Sequence, residues 1–354
     1  MIRSLNSLRF ILILMIVISH STLPISQGLH DYLGECAVAI FFVISGFVLS
    51  LSKGDKLQKG ELSNKQFFLS RIIKLYPLHL LILALLIPLD WRINQLGTPC
   101  QIIAQALLLQ CWYPSHDFIA TLNAATWFIS DLLFFYLIFK YLYCWIMRSS
   151  WLRLSPIIAL YMTIYIILSL YAQADYSAGY IYCFPAFRII DFTIGILLYK
   201  FSASTNGKKL STYIKTSLTP CQTHVSNCLL ILLLIGMFLL SIHCNPNIRC
   251  STIYWLPSAI VVFYSTMIDT CKGWLSGILH NQKLQWLGSI SFEIFLCHNL
   301  CFRTIQSIFL RIYGEDIPCL GFQFIISILF TILTAWMAKR YVTIPIHQKL
   351  QKWL

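Results

Sequence analysis

Arg9 and His20 stand eleven residues apart in the first apolar stretch of the chain, 5–23. On a helix that spacing is three turns plus about 20°, which puts both side chains on one face roughly 16 Å apart along the axis. Ionisable groups inside an apolar span cost several kcal/mol unless paired or solvated, so such a pair is a functional candidate. A neutral imidazole is the usual side chain for taking a proton from a hydroxyl near pH 7, and this chemistry is expected of His20. The plainer alternative has Arg9 reaching to the headgroups and His20 hydrogen-bonded near the opposite surface. A second polar group opens the third stretch, Arg71-Ile72-Ile73-Lys74-Leu75-Tyr76-Pro77. Arg71 and Lys74, one turn apart, suit the phosphates of a charged ligand, and equally a plain positive-inside anchor.

The elements that must position these residues are membrane helices. Of 354 residues, 58% are hydrophobic and only 11% charged. That is too few charges to coat a soluble protein, and soluble enzyme classes are excluded. Apolar stretches of about 16–24 residues recur along the chain, a length that suits helices and not the alternating strands of a barrel. The expected fold is all-α, a polytopic bundle of about ten transmembrane helices. The spans fall near 5–23, 35–52, 72–89, 126–146, 156–171, 184–200, 227–243, 253–268, 288–310 and 319–340. The segment 102–112, too short to span and preceded by Gly97-Thr98-Pro99, reads as an interfacial or re-entrant helix.

Lys and Arg number 26 against 13 Asp and Glu, a net charge of +13. Topology accounts for the excess, and no nucleic-acid partner is expected. Lys53, Lys56, Lys59, Lys65 and Arg71 fill one connection, and Lys200, Lys208, Lys209 and Lys215 another, with Lys272 on the same side. The opposite loops hold only Arg92, Arg249 and Arg311. The positive-inside rule makes the rich side cytoplasmic and, with ten spans, places both termini there. No linker or repeat divides the chain, so residues 1–354 are read as one integral membrane domain in the cell membrane, the cytoplasmic membrane if the source is bacterial. The 13 cysteines include no pair at metal spacing, and no metal is expected. A disulfide is open between Cys244 and Cys250 and between Cys100 and Cys111.

The motifs taken together resemble the membrane acyltransferase-3 family. The series comprises Arg9 and His20 with ten residues between, then Phe41-Phe42-Val43-Ile44-Ser45-Gly46-Phe47, then Arg71-x-x-Lys74-x-Tyr76-Pro77. It continues with Thr126-Trp127-Phe128-Ile129-Ser130, Arg188-Ile-Ile-Asp191-Phe192-x-x-Gly195, the run from Leu287 through Glu293 to His298, and Tyr341-x-x-x-Pro345. The resemblance covers nearly the whole chain. It implies transfer of an acyl group, commonly acetyl, from cytoplasmic acyl-CoA (acetyl-CoA) to a hydroxyl of a cell-surface or exported carbohydrate. By motif it places His20 and Arg9 in the acyl transfer and Arg71 and Lys74, with Ser45 and Gly46, in donor binding. Glu35, Trp127, Asp131, Glu293 and His298 become candidates for active-site architecture.

Three positions depart from the family pattern. Lys74 stands where Arg is usual, losing a bidentate contact while keeping the charge. Ala39 replaces an acid before the Phe-Phe pair, with Glu35 one turn earlier as the candidate substitute. Asp131 replaces a Glu beyond the Trp. From the spacing alone Arg9 is too far from His20 to touch the reacting carbonyl, which favours donor positioning for it. Arg188 and Asp191, three apart, read as a structural ion pair. Glu293 and His298, five apart, cannot share a helix face. His79 is read as a solvated or interfacial histidine with no special role, and Trp91, Trp112 and Tyr113 as packing residues in preference to sugar-stacking ones. Direct transfer and an acylated residue both remain open, and the rival class is a glycan or acyl-compound carrier without catalysis.

Overall fold

The computed structural model describes residues 2–21, 23, 27–93, 95–113, 115–172, 181–217, 219–268, 273–314 and 320–352. Lys272 and Cys319, the expected first residue of the last span, lie outside them. Among the described residues there are helices and no strands. In chain order the principal helices are α1 (Arg3–Ser19), α2 (Gln27–Leu49), α3 (Asn64–Arg92), α4 (Pro99–Ala106), α5 (Trp127–Arg148), α6 (Trp151–Tyr171) and α7 (Pro185–Ala203). They continue with α8 (Thr205–Thr216), α9 (Pro220–His243), α10 (Trp255–Ile268), α11 (Gln282–Ser289), α12 (Ser291–Tyr313), α13 (Leu320–Ala338) and α14 (Ile344–Gln351).

Seven helical stretches are long and apolar enough to cross a membrane, those built on α2, α3, α5, α6, α9, α10 and α13. The chain is a multi-pass membrane protein. The other three long helices, α1, α7 and α12, are those carrying Arg9, the Arg188–Asp191 pair, and Glu293 with His298. Their polar content is affordable because protein surrounds it. α2 packs against α1, α7 and α10, and α12 against α13 and α3. By contrast α6, α9 and α13 leave most of their length exposed, presenting Leu160, Leu229, Leu232 and Leu329 to the surroundings. In lipid that is the stable arrangement for apolar side chains.

Helix starts follow local chemistry. Ser63, Thr98 and Thr219 each accept a bond from the backbone three residues on, while Gln66, Gln101 and Gln222 reach back to the cap N–H. These reciprocal pairs satisfy donors that a helix end otherwise leaves bare. Pro77 and Pro88 sit inside α3 without ending it, as neighbouring segments allow in membrane helices. Tyr76, just before Pro77, donates its hydroxyl to the Leu107 carbonyl at 2.9 Å.

The short segment after α3 enters the bundle. Gln105 and Gln110 are fully buried. Thr126 donates to Gln105 Oε1 at 2.8 Å, Ser130 to the Leu108 carbonyl at 2.6 Å, and the His79 ring nitrogen Nε2 to the Gln105 carbonyl at 3.0 Å. Leu108 takes a positive φ of 58° where the chain turns back. His79 is therefore a buried residue holding this segment, not a solvated one. Trp112 packs on Phe134 with ring centroids 4.9 Å apart and Tyr113 on Phe118 at 4.5 Å, while Trp91 is exposed. Neither open disulfide forms. Cys100, Cys111, Cys244 and Cys250 are free thiols, with Cys111 turned to the Trp127 carbonyl at 3.4 Å and Cys250 to that of Pro246 at 3.1 Å.

A close helix crossing joins α2 to α7. A Cβ on Gly46 would lie 2.1 Å from the Phe192 carbonyl oxygen, and one on Gly195 would lie 2.2 Å from that of Val43. Small residues let the two backbones touch here. Gly195→Ala is expected to lower stability by about 1–3 kcal/mol, because backbone must move aside. Gly236→Ala, where a Cβ would meet nothing within 4 Å, should hold or raise the unfolding temperature in detergent. Equal melting of both variants with the parent chain would refute this account of the crossing.

Candidate active site

His20 closes α1 as its C-cap residue and is exposed. Its Nδ1 lies 2.8 Å from the Ile16 carbonyl. A carbonyl only accepts, so Nδ1 carries the proton and the neutral ring presents an Nε2 lone pair. The ring borders a cavity of about 180 Å³, walled also by Asp31, Glu35, Trp127, Phe128 and Tyr182. These residues come from the start of α2, the start of α5 and the turn before α7, so the cavity opens at the end of the bundle where α1 finishes.

Asp31 and Glu35 share a face of α2 at four-residue spacing and are clamped by one cation. Arg249 donates from Nε to Glu35 Oε2 at 2.9 Å and from Nη2 to Asp31 Oδ2 at 2.8 Å, with Tyr254 adding a bond to Glu35 at 3.3 Å. Glu35 thus borders the cavity while sharing the Arg249 guanidinium with Asp31. Sequence reasoning marked Arg249 only as a loop cation and passed over Asp31, Tyr182 and Tyr254. The signal for Asp31 was its i,i+4 relation to Glu35.

Next to His20 lies His298. The two rings have centroids 5.2 Å apart, and His298, which does not line the cavity, is fully buried. Its Nδ1 is 2.6 Å from the Phe295 carbonyl, which fixes the same tautomer. Asn123 ties the start of α5 to this stretch, donating to the Leu296 carbonyl at 3.2 Å and accepting from Asn299 at 2.7 Å.

The other end of the bundle, where α1 begins, gathers cations. Lys74 is within electrostatic reach of Arg71, Arg9, Lys339 and Glu293. Arg71 stacks over Phe67 at 5.4 Å and Tyr136 at 6.0 Å. Lys339, in a π-helical turn after α13, donates to the Ser289 carbonyl at 2.6 Å. Four cations and one carboxylate leave a local excess of positive charge. Arg9 also borders a groove of about 670 Å³ between α1 and the end of α2, lined by Leu5, Val48 and Leu51.

The structure therefore divides the expected residues into two groups and leaves some aside. His20, Glu35 and Trp127 meet at the cavity, with His298 against His20. Arg9, Arg71, Lys74 and Glu293 meet at the basic end. Gly46 is occupied by the α7 contact described above, and Ser45 beside it is half-buried. Asp131 is fully buried between Cys111 and Arg188 and does not line the cavity. Arg188 and Asp191 form the anticipated pair at 3.2 Å, both fully buried.

Among the described residues the chain is a helical membrane bundle with a basic cluster at one end and a histidine-bearing cavity at the other. The chain belongs to the membrane acyltransferase-3 family, whose sequence pattern, described as an acyltransferase domain, matches residues 2–339. It is similar to acyltransferase MdmB of Streptomyces mycarofaciens, with 26% identity over 288 residues, 77% of this chain and 69% of that protein. It is also similar to protein 2 in the picA locus of Rhizobium radiobacter, with 34% identity over 105 residues, 27% of this chain and 55% of that one. No solved structure matches the chain.

Proposed function

We propose that the protein moves an acyl group, acetyl in the first instance, from cytoplasmic acyl-CoA to a hydroxyl of a cell-surface or exported carbohydrate. The carrying observation is the fixed tautomer of His20, which leaves an Nε2 lone pair at the wall of an open cavity. A hydroxyl entering there loses its proton to Nε2 as its oxygen attacks the thioester carbonyl, and the thiolate departs. Trp127 and Tyr182 offer faces on which a sugar ring can lie. In this reading α1, α7 and α12 complete ten spans in the cell membrane, with both termini in the cytoplasm.

The donor's phosphates are anionic, and the basic end supplies Arg71, Lys74 and Arg9 to hold them. Lys74 offers a point charge where a guanidinium would grip two oxygens, so Arg71 carries the directional contact. Glu293 offsets one of the four positive charges when the donor is absent, leaving the rest for the phosphates.

The test is acetyl ester formation by purified protein in lipid vesicles with acetyl-CoA and a panel of carbohydrate acceptors. The intact chain is expected to release thiol and ester in equal amounts. Arg71→Ala and Lys74→Ala should each raise KM for acetyl-CoA about tenfold or more while leaving KM for the acceptor unchanged, since each removes a charge-assisted contact to the donor alone. Unchanged KM for the donor in both variants would dismiss the basic end as its binding site.

A further inference from the structure

Acyl transfer has a proton to dispose of. The acceptor hydroxyl loses one, the departing thiolate needs one, and on the proposed layout the two partners arrive from opposite ends of the bundle. His20 faces the acceptor's cavity. With Nδ1 held by the Ile16 carbonyl, it has one nitrogen with which to take the proton, and that nitrogen must be cleared before another cycle.

His298 is placed to clear it. Its ring lies 5.2 Å from that of His20, next to Phe295, which lines the cavity. It rides on α12, whose first turn carries Glu293 into the basic cluster five residues earlier, about 7.5 Å along the axis. With Nδ1 committed to the Phe295 carbonyl, Nε2 of His298 is an acceptor, and it is buried with no hydrogen-bond partner among the described residues. A buried acceptor left bare is costly, so its retention beside a second imidazole needs a reason. Packing alone would be met more cheaply by an apolar ring among Phe295 and Phe302, which flank it at 6.0 and 6.4 Å.

We propose that His298 is a second proton carrier, taking from His20 the proton drawn from the acceptor and delivering it to the thiolate on the donor side. The inference rests on the acyl-transfer reading above. The hydroxyl O–H bond breaks toward His20 Nε2 as the ester C–O bond forms and the thioester C–S bond breaks. His20 passes that proton to His298 Nε2, and the same nitrogen yields it to the thiolate sulfur. Both imidazoles end neutral, and the products are ester and free thiol, with no other reactant consumed.

His298→Gln separates this role from packing. A glutamine fills similar space and accepts a hydrogen bond but carries no proton. The expected result is a fall in kcat of about 100-fold with KM for acetyl-CoA and for the acceptor held within about threefold, the scale of one lost acid–base group. His298→Asn serves as the second variant, with monodisperse elution and unaltered acetyl-CoA binding as the criteria of folding. A kcat within threefold of the parent in a folded variant, or a loss carried by KM alone, would overturn the inference while leaving the acyltransferase intact. Absence of ester formation by the parent chain with every acceptor would overturn the function itself and this step with it.

Discussion

His20→Ala is expected to reduce ester formation by about three orders of magnitude while the protein remains folded. The size follows from removing the group that takes the hydroxyl proton, typically 10²–10⁴-fold in rate. Retention of the fold follows from where the residue sits. His20 ends α1, is exposed, and its side chain hydrogen-bonds the Ile16 carbonyl of its own last turn. Losing it removes the ring contact with His298 but no hydrogen bond to a buried side chain, and the stability cost should stay about 1–2 kcal/mol. The variant should still bind acetyl-CoA with the parent's affinity, because Arg71, Lys74 and Arg9 lie at the other end of the bundle. Donor binding measured beside ester formation therefore distinguishes a lost base from a damaged protein. Release of thiol without acceptor by the parent, and its loss in the variant, would indicate an acylated imidazole in place of a base. Equal ester formation by variant and parent would remove His20 from the chemistry.

Much of this site was legible in the sequence because its residues declare themselves against an apolar background. Arg9, His20, Arg71, Lys74, Glu293 and His298 are conspicuous in stretches otherwise built of Leu, Ile and Phe, where ionisable groups are rare and expensive. Helical spacing correctly separated Glu293 from His298, and the structure sends one to the basic cluster and the other to His20. What spacing could not show was convergence between helices. The His20–His298 contact joins residues 278 positions apart in sequence, and Arg249 closes on Glu35 across 214. Periodicity describes one helix at a time, whereas these contacts depend on crossings such as that of Gly46 on Gly195. The segment around Gln105 stayed open between an interfacial and a re-entrant helix for a related reason. Its apolar length was too short to span, but its burial depends on His79, Thr126 and Ser130 supplying hydrogen bonds from other elements.

Arg188→Leu should be the most damaging single change outside the cavity, costing about 3–5 kcal/mol. Arg188 is fully buried, donates to the Cys250 carbonyl at 2.9 Å, and faces Asp191 and Asp131 while lying over the rings of Phe42 at 5.2 Å and Tyr182 at 5.5 Å. Its removal strands two carboxylates in an interior where charge is costly. Asp191→Asn is far milder. The guanidinium still has Asp131 and the Cys250 carbonyl, and an asparagine oxygen can keep the bond from Ser251 that Asp191 Oδ1 accepts at 2.8 Å. Replacing Arg188 and Asp191 together by leucine should recover part of the loss of the arginine variant, because an apolar pair of similar volume often substitutes for a buried ion pair, with Asp131 left to become protonated. Thermal unfolding of the three variants in one detergent gives the ordering, Arg188→Leu lowest and Asp191→Asn highest. A double variant no better than Arg188→Leu would mean that Asp131, not Asp191, is the carboxylate that requires the guanidinium. The consequence reaches the chemistry through Tyr182, which stacks on Arg188 on one side and walls the His20 cavity on the other. Asp191→Asn should therefore leave kcat nearly unchanged, since it keeps the guanidinium over that ring.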